Sequence, residues 1–322
     1  MPKVSVIIPI YSVEKYIEKC AHSLFKQTLD DIEYIFIDDC TPDHSIEIIK
    51  DVLEQYPHRK KQTRIVRMPM NSGIGAVRKH GIQLATGDYI IHCDSDDWVD
   101  VTMYENMYKK ALEENLDIVF CDYYETDRFN HKKISCYSTC KKKEILSNLL
   151  YHKTAVSTWN KLIKRKIYTT NNIIYPTNDM GEDFAIILQS AIFSSSFGYI
   201  NKALYFYYIN ANSISHEKSI VKMEKRWIDL SMNFSIVFSV LQQNGLDKDF
   251  SNEILYLKTQ LKNQILSFVH LNEKYCRMWK KTFPELNFSG KGIKNKIRYL
   301  LIYFNIYPIC YKIKKFFLIN RL

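Results

Sequence analysis

The 322-residue chain has no glycine-rich phosphate loop, no Cys-x-x-Cys pair and no apolar run long enough to cross a membrane. Each absence removes a class of protein. The lack of Gly-x-Gly-x-x-Gly after the first apolar run argues against a dinucleotide-dependent dehydrogenase. Gly73-x-Gly75 follows the wrong run and lacks the third glycine. Pro9-Ile10-Tyr11-Ser12 stands where a nucleotidyltransferase would want a basic phosphate loop, so that class is only an alternative. The eight cysteines are scattered, which fits reduced thiols in the cytoplasm better than a disulfide framework. Cys136 and Cys140 with His131 lack a fourth ligand, and no zinc site is expected.

Val4–Ile10 is too short for the apolar part of a signal peptide, and no small-residue cleavage site follows. The longest uncharged stretch, Phe184–Asn201, is interrupted by Gln189, several serines and Gly198, so it reads as a buried helix plus a strand. Acid is missing from residues 290–322, which carry eight lysines and arginines of a net charge of +10. The body is therefore nearly neutral and the tail basic.

What is present is a regular alternation. Val4–Ile10 is a continuous Val/Ile run, as a strand buried on both faces requires. Helix and strand patterns then alternate: helix Val13–Lys26, strand Glu33–Ile37, helix Ser45–Gln55, strand Arg64–Met68, helix Ile74–Leu84, strand Tyr89–Cys93, helix Val101–Glu114, strand Asp117–Cys121. This order implies a parallel α/β sheet. Past residue 140 the pattern predicts helices near Glu144–Tyr151 and Trp159–Lys166, a loop through Pro176, a helix from Glu182 to about Ser194 and a strand around Gly198–Tyr208. Two long amphipathic helical stretches follow, over 219–243 and 251–279. The reading is an α/β domain over 1–218 and a helical region over 219–322.

Residues 88–98 end a short apolar strand in a crowd of carboxylates, Asp94, Asp96 and Asp97. Such crowding is repulsive unless a cation sits there, and hard carboxylate oxygens suit Mg²⁺ or Mn²⁺ completed by water and phosphate. The plainer reading is a solvated acidic turn before the next helix. Tyr11, Asp38-Asp39, Asn71 and Asp94–Asp97 all lie just past the carboxyl ends of strands, the edge where parallel sheets bind ligands. Four polar clusters on one rim are harder to explain as solvated loops than any one would be.

Taken in order, the motifs resemble those of the family 2 glycosyltransferases of the GT-A fold, over residues 1 to about 216. The resemblance rests on Val4-Ser5-Val6-Ile7-Ile8-Pro9-Ile10-Tyr11, Ile37-Asp38-Asp39, Asn71-x-Gly73 with Arg78 and Gly81, Ala85-Thr86-Gly87-Asp88-Tyr89-Ile90, Asp94-Ser95-Asp96-Asp97-Trp98, Trp159-Asn160-Lys161-Leu162 and Gly181-Glu182-Asp183. It implies a Rossmann-like, mostly parallel sheet flanked by helices, and inverting, metal-dependent transfer of a sugar from a nucleotide diphosphate to an acceptor hydroxyl. It also implies roles. Pro9 and Tyr11 line the nucleotide pocket, Asp39 meets the base (commonly uracil), and Asn71 and Arg78 lie beside the nucleotide. Asp94 faces the ribose or sugar with Ser95 beside it, Asp96 the Mn²⁺ or Mg²⁺, and Asp183, paired with Glu182, is the base that takes the acceptor's proton. For an isolated Gly-Glu-Asp the alternative is that both acids complement a helix dipole.

The chain departs from the pattern in places. Asp39-Cys40-Thr41-Pro42 replaces the usual Asp-Gly-Ser, and Lys79 stands where Asn is common. Lys79 either reaches the diphosphate or points to solvent. His216 is either a lid residue over the nucleotide or a surface histidine, and Trp159 either walls the acceptor site or packs. In the tail, Ile293, Ile297, Leu300, Leu301 and Phe304, then Ile309, Ile313, Phe316 and Phe317, recur at helical spacing among lysines. This fits an interfacial helix on the inner, anionic face of a membrane, and also an apolar stripe packed on protein. No motif for nucleic acid accompanies the charge. The implied partners are a nucleotide-sugar donor, most often UDP-linked, and a glycan or lipid-linked acceptor of surface polysaccharide synthesis. A binding or scaffolding protein without turnover is the non-enzyme alternative.

Overall fold

The computed structural model describes residues 1–127, 130–136, 139–209, 219–287 and 293–319, with side chains as far as Lys315 in the last helix. Two compact units result, one of Met1–Glu217 with Met232–Leu241 and one of Lys218–Ser231 with Gln242–Leu322.

In the first unit the chain runs β1 (Val4–Ile10), α1 (Ile17–Phe25), β2 (Ile32–Asp38), α2 (Ser45–Glu54), β3 (Thr63–Arg67), α3 (Ile74–Leu84), β4 (Tyr89–His92), β5 (Trp98–Val99) and α4 (Met103–Glu113). It continues with β6 (Ile118–Thr126), β7 (His131–Ile134), α5 (Lys142–Leu150), β8 (Lys161–Lys164), α6 (Arg165–Thr170), α7 (Glu182–Phe193) and β9 (Phe197–Tyr208). The helix α8 (Ile220–Gln243) contributes its stretch Met232–Leu241.

The described strands form one sheet in the order β3-β2-β1-β4-β8-β6-β9-β5, with β7 on β6. From β3 to β4 every pair is parallel. Beyond β4 the sheet is mixed: β8 is antiparallel to both β4 and β6, while β6 and β9 are parallel. The parallel expectation thus holds for the half carrying the polar rim. The other half mixes directions because β8 is not reached through a βαβ crossover.

β1 and β2 are buried along their whole length, which is why both read as unbroken apolar runs. Val4, Val6, Ile8 and Ile10 share one core with Ile17, Leu24 and Phe25 of α1, Ile49 and Val52 of α2 and Met103, Tyr104 and Met107 of α4. Ile7, on the opposite face, meets α3 at Gly81. Ile7 is the last β1 residue in register with β4, opposite His92. Pro9, which has no N–H for a ladder, lies beyond that point.

Two helical expectations are corrected. Trp159–Lys166 is not a helix: Lys161–Lys164 is β8 and helix α6 begins only at Arg165. The stretch 251–279 is two helices, α9 (Ser251–Ile265) and α10 (Glu273–Lys281), with Asn272 Oδ1 accepting Lys274 N–H at 2.9 Å as the cap of α10. The second unit ends in α11 (Ile293–Tyr303) and α12 (Tyr307–Ile319). Its core gathers Ile265, Phe268, Val269, Trp279, Tyr299 and Ile302. No described helix is long and apolar enough to cross a membrane.

Candidate active site

The sequence places its polar clusters past strand ends, and the parallel pairing of β1, β2, β3 and β4 puts those ends on one edge. The centre of that edge is Arg78. It projects from α3, is 2% exposed, and donates to Asp94 Oδ1 at 2.8 Å, to Glu182 Oε1 at 2.5 Å and to Asp183 Oδ1. Carboxyl groups from the loop after β4 and from the start of α7 thereby meet on one guanidinium. Three acids around one cation cannot all be fully compensated. Burial, then the charge of Asp183, pushes Glu182 above the ordinary glutamate range despite Arg78. Burial likewise raises Asp183, against the pull of Arg78. Asp183 Oδ1 also accepts from Thr158 Oγ1 at 3.1 Å.

The three acids of the 94–97 cluster have separate fates. Asp94 is tied to Arg78. Asp97 is buried and turned away: Tyr205 Oη donates to its Oδ2 at 2.6 Å and Tyr208 N–H to its Oδ1 at 2.7 Å, so it anchors β9. Tyr205 Oη in turn accepts Asp94 N–H at 3.1 Å. Asp96 is half-buried and, among the described residues, has no side-chain partner; only its own backbone N–H assists it. Burial, then the charge of Asp94, lifts it to about 6. Ser95 between them is buried.

Whether these groups fit a divalent cation is decided by that donor set. No cluster of three or more His, Cys, Asp or Glu among the described residues could hold a metal by itself. One free carboxylate, destabilised by its surroundings, does fit a hard cation that arrives with the phosphates of a ligand and keeps several waters. Asp96 is the residue that would hold it.

Asp39 is buried, and both its oxygens are occupied by the turn after β3: Ser72 N–H donates at 2.7 Å and Gly73 N–H at 3.0 Å. Gly73 sits at φ +82°, and a Cβ there would lie 2.3 Å from Asp179 Oδ1, so only glycine fits. Asp179 Oδ1 accepts Ile74 N–H at 3.1 Å, which caps α3 from the loop before α7. Pro9 is buried in β1, whereas Tyr11 is 48% exposed and Asn71 is exposed beside the turn. Lys79 is exposed, its ammonium 5.8 Å from the ring centroid of Tyr175. Trp159 is 5% exposed and stacks on Tyr205 at 4.3 Å and Tyr207 at 5.8 Å, with Tyr123 edge-on at 4.8 Å. Its ring is engaged in packing. His216 lies outside the described residues.

Three residues of this region have roles that pattern reading misses. Thr158 and Asp179 carry no local signal, because their partners are distant in sequence. Lys161 is 1% exposed and donates to Ala155 O at 2.9 Å, Ser157 O at 2.7 Å and Asn160 Oδ1 at 2.6 Å. It holds from beneath the loop that delivers Thr158. Burial lowers its pKa to about 8.

Residues 5–170 match the family model described as Glycosyl transferase family 2, about half of the chain. The chain belongs to glycosyl transferase family 2. A Bacillus subtilis relative described as the uncharacterized glycosyltransferase EpsJ is 32% identical over 67% of this chain and 63% of its own length. The chain thus spans just under two thirds of that relative. Among solved structures, residues 1–349 of TarS from S. aureus, in complex with UDP-GlcNAc, superpose with a TM-score of 0.60 at 16% identity, covering 97% of this chain and 91% of that one. A mannosyltransferase from Pyrobaculum calidifontis, in complex with GDP-Man and Mn²⁺, superposes with a TM-score of 0.52 at 14% identity over 97% and 86%. These likenesses show the fold expected for this family, a mixed sheet with helices on both faces.

Proposed function

We propose that this chain transfers a sugar, with inversion at the anomeric carbon, from a UDP-linked donor to a hydroxyl of a glycan or lipid-linked acceptor in surface polysaccharide synthesis. Residues 1–218 serve as the catalytic domain and 219–322 as a helical region that meets the inner face of the cell membrane. The observation that carries the reading is the gathering of Asp94 and Asp183 on Arg78, with Asp96 left unpartnered beside them.

In this reading Asp183 takes the proton of the acceptor hydroxyl, a task suited to a half-buried carboxylate whose pKa is raised. Arg78 and Thr158 fix its orientation. Asp94 faces the sugar or ribose, Tyr11 and Asn71 border the nucleotide, and Asp39 shapes the turn against the base while keeping lone pairs for it. Mn²⁺ or Mg²⁺ held by Asp96 would act as a Lewis acid on the departing diphosphate. UDP-GlcNAc in TarS, and GDP-Man with Mn²⁺ in the Pyrobaculum calidifontis mannosyltransferase, support a nucleotide-sugar donor and a divalent ion.

The test incubates the full chain with Mn²⁺ and a panel of nucleotide sugars and measures nucleotide release. One donor should be consumed in a Mn²⁺-dependent way, and Asp96→Ala should abolish it. Asp183→Asn should lower turnover by roughly 10²–10⁴-fold with nucleotide binding intact. Nucleotide binding with no release from any donor, even with candidate acceptors added, would favour a binding protein without turnover.

A further inference from the structure

Among the described residues, the second unit leaves a row of large apolar side chains on its last two helices exposed. α11 turns Tyr299 and Ile302 into the core, while Ile293, Ile297, Leu300 and Phe304 recur every three or four residues and are 45–77% exposed. α12 continues the face with Ile306, Ile309 and Ile313, exposed by 43–56%. Seven large apolar side chains left exposed along two successive helices mark an interaction site.

Its surroundings select the partner. Lys294, Lys296, Lys312, Lys314 and Lys315 are all exposed on these two helices, and no acid occurs after Glu285. Beside Ile309 opens a cavity of about 480 Å³ whose charged lining is Lys274, Arg277, Lys312 and one acid, Glu273. Lys274 is paired with Glu224 and Arg277 with Glu273 at 3.2 Å, but Lys312 has no acidic partner among the described residues. A second copy docking on this face would set the same lysines against one another, which like-charge repulsion opposes. An anionic bilayer complements both parts of the surface, with acyl chains on the isoleucines and phosphates on the lysines.

We propose that α11 and α12 lie in the interface of an anionic phospholipid bilayer, with Lys312 and its neighbours on α12 against the lipid phosphates. With 11 and 13 residues, both helices are shorter than the roughly 20 residues a span needs. Their apolar side chains and lysines can therefore meet a bilayer only along its interface. This assigns to two helices the membrane contact proposed above for 219–322 and rests on that part of the reading, but it stands whether or not a donor is turned over.

The test is co-sedimentation of the full chain with vesicles of phosphatidylcholine, with and without 30% phosphatidylglycerol. Binding should require the anionic lipid and weaken in high salt. Lys312→Glu/Lys314→Glu/Lys315→Glu should weaken it at least a hundredfold, since each lysine at such a surface contributes about fivefold. Ile297→Asp/Leu300→Asp should abolish it while the melting temperature stays unchanged, because both side chains are exposed. No binding to anionic vesicles, or binding that survives the Ile297/Leu300 changes, would overturn the proposal. So would a dimer in light scattering that the same changes dissociate, with no vesicle binding by the unaltered chain.

Discussion

Arg78 is where single-residue chemistry has the largest consequence. Removing it leaves Asp94, Glu182 and Asp183 crowded with no cation, and truncating one partner of a buried ion cluster costs about 3–5 kcal/mol. Arg78→Ala should lower the urea unfolding free energy by that amount, and Arg78→Lys by less but still measurably, since one ammonium cannot replace a planar fork reaching three carboxyl groups. A loss below 1 kcal/mol for Arg78→Ala would mean the acids simply take up protons. Glu33 offers a test in pH. Burial disfavours its charge, but Ser5 Oγ, Thr86 N–H and Oγ1, Gly87 N–H and Arg64 outweigh that, so its pKa is lowered. A lowered pKa contributes stability that is present above the ordinary glutamate value of about 4.3 and lost as pH falls through the folded value. Glu33→Gln should therefore cost about 1.5–3 kcal/mol at pH 7 and progressively less in acid. Equal losses at both ends of the titration would remove Glu33's charge from the account.

At the scale of elements, the turn between β3 and α3 depends on side chains from outside it. Asp39 holds its N–H groups and Asp179 caps the helix that follows. Gly73→Ala combines a left-handed φ with a clash against Asp179, so a loss of about 1–3 kcal/mol is expected. If Asp39 and this turn border the base, nucleotide affinity in calorimetry should fall in parallel; unchanged affinity would separate the turn from the nucleotide. The loop before β8 is the second such device. Thr158→Val removes the hydroxyl on Asp183 without changing volume, and turnover should fall about tenfold with the donor KM unchanged. A change in KM alone would place Thr158 with the donor instead. Elements with two buried faces were legible in the sequence, because burial writes Val/Ile runs such as Val4–Ile10. Two of the elements that were missed are ones whose burial is polar or absent. β8 begins at the buried Lys161, which looks like a surface residue until its three oxygen partners are known. β7 reads His-Lys-Lys-Ile and is mostly exposed, so no period marks it. Of the site, Arg78 and Asp183 were marked only by the motifs of the family resemblance, whereas Asp39, Asp94, Asp96 and Asp97 were legible as acids past strand ends. That Asp97 serves β9 and Asp96 stands free was not, because Tyr205 and Tyr208 lie more than a hundred residues away.

Over the whole molecule, two cores support two compact units, and stability need not be shared between them. The core of the first unit runs through β1, β2, β4, α1 and α4, whereas that of the second is a small aromatic-aliphatic cluster. The smaller core leans on one polar centre. Lys262, 2% exposed, donates to Trp279 O at 2.9 Å, Phe283 O at 3.0 Å, Asn287 Oδ1 at 2.7 Å and also Thr282 O. It thus satisfies the carbonyls at the end of α10, which no helix continues. Lys262→Met keeps the volume of the stem but leaves those acceptors buried and unpaired, and about 2–3 kcal/mol of stability should go with them. If the units open separately, the loss is local. Hydrogen exchange followed by mass spectrometry should then show faster exchange in 251–287, with β1, β2 and β4 unchanged. Uniform acceleration across both units would mean that the chain unfolds as one cooperative body, and that the small core borrows its stability from the large one.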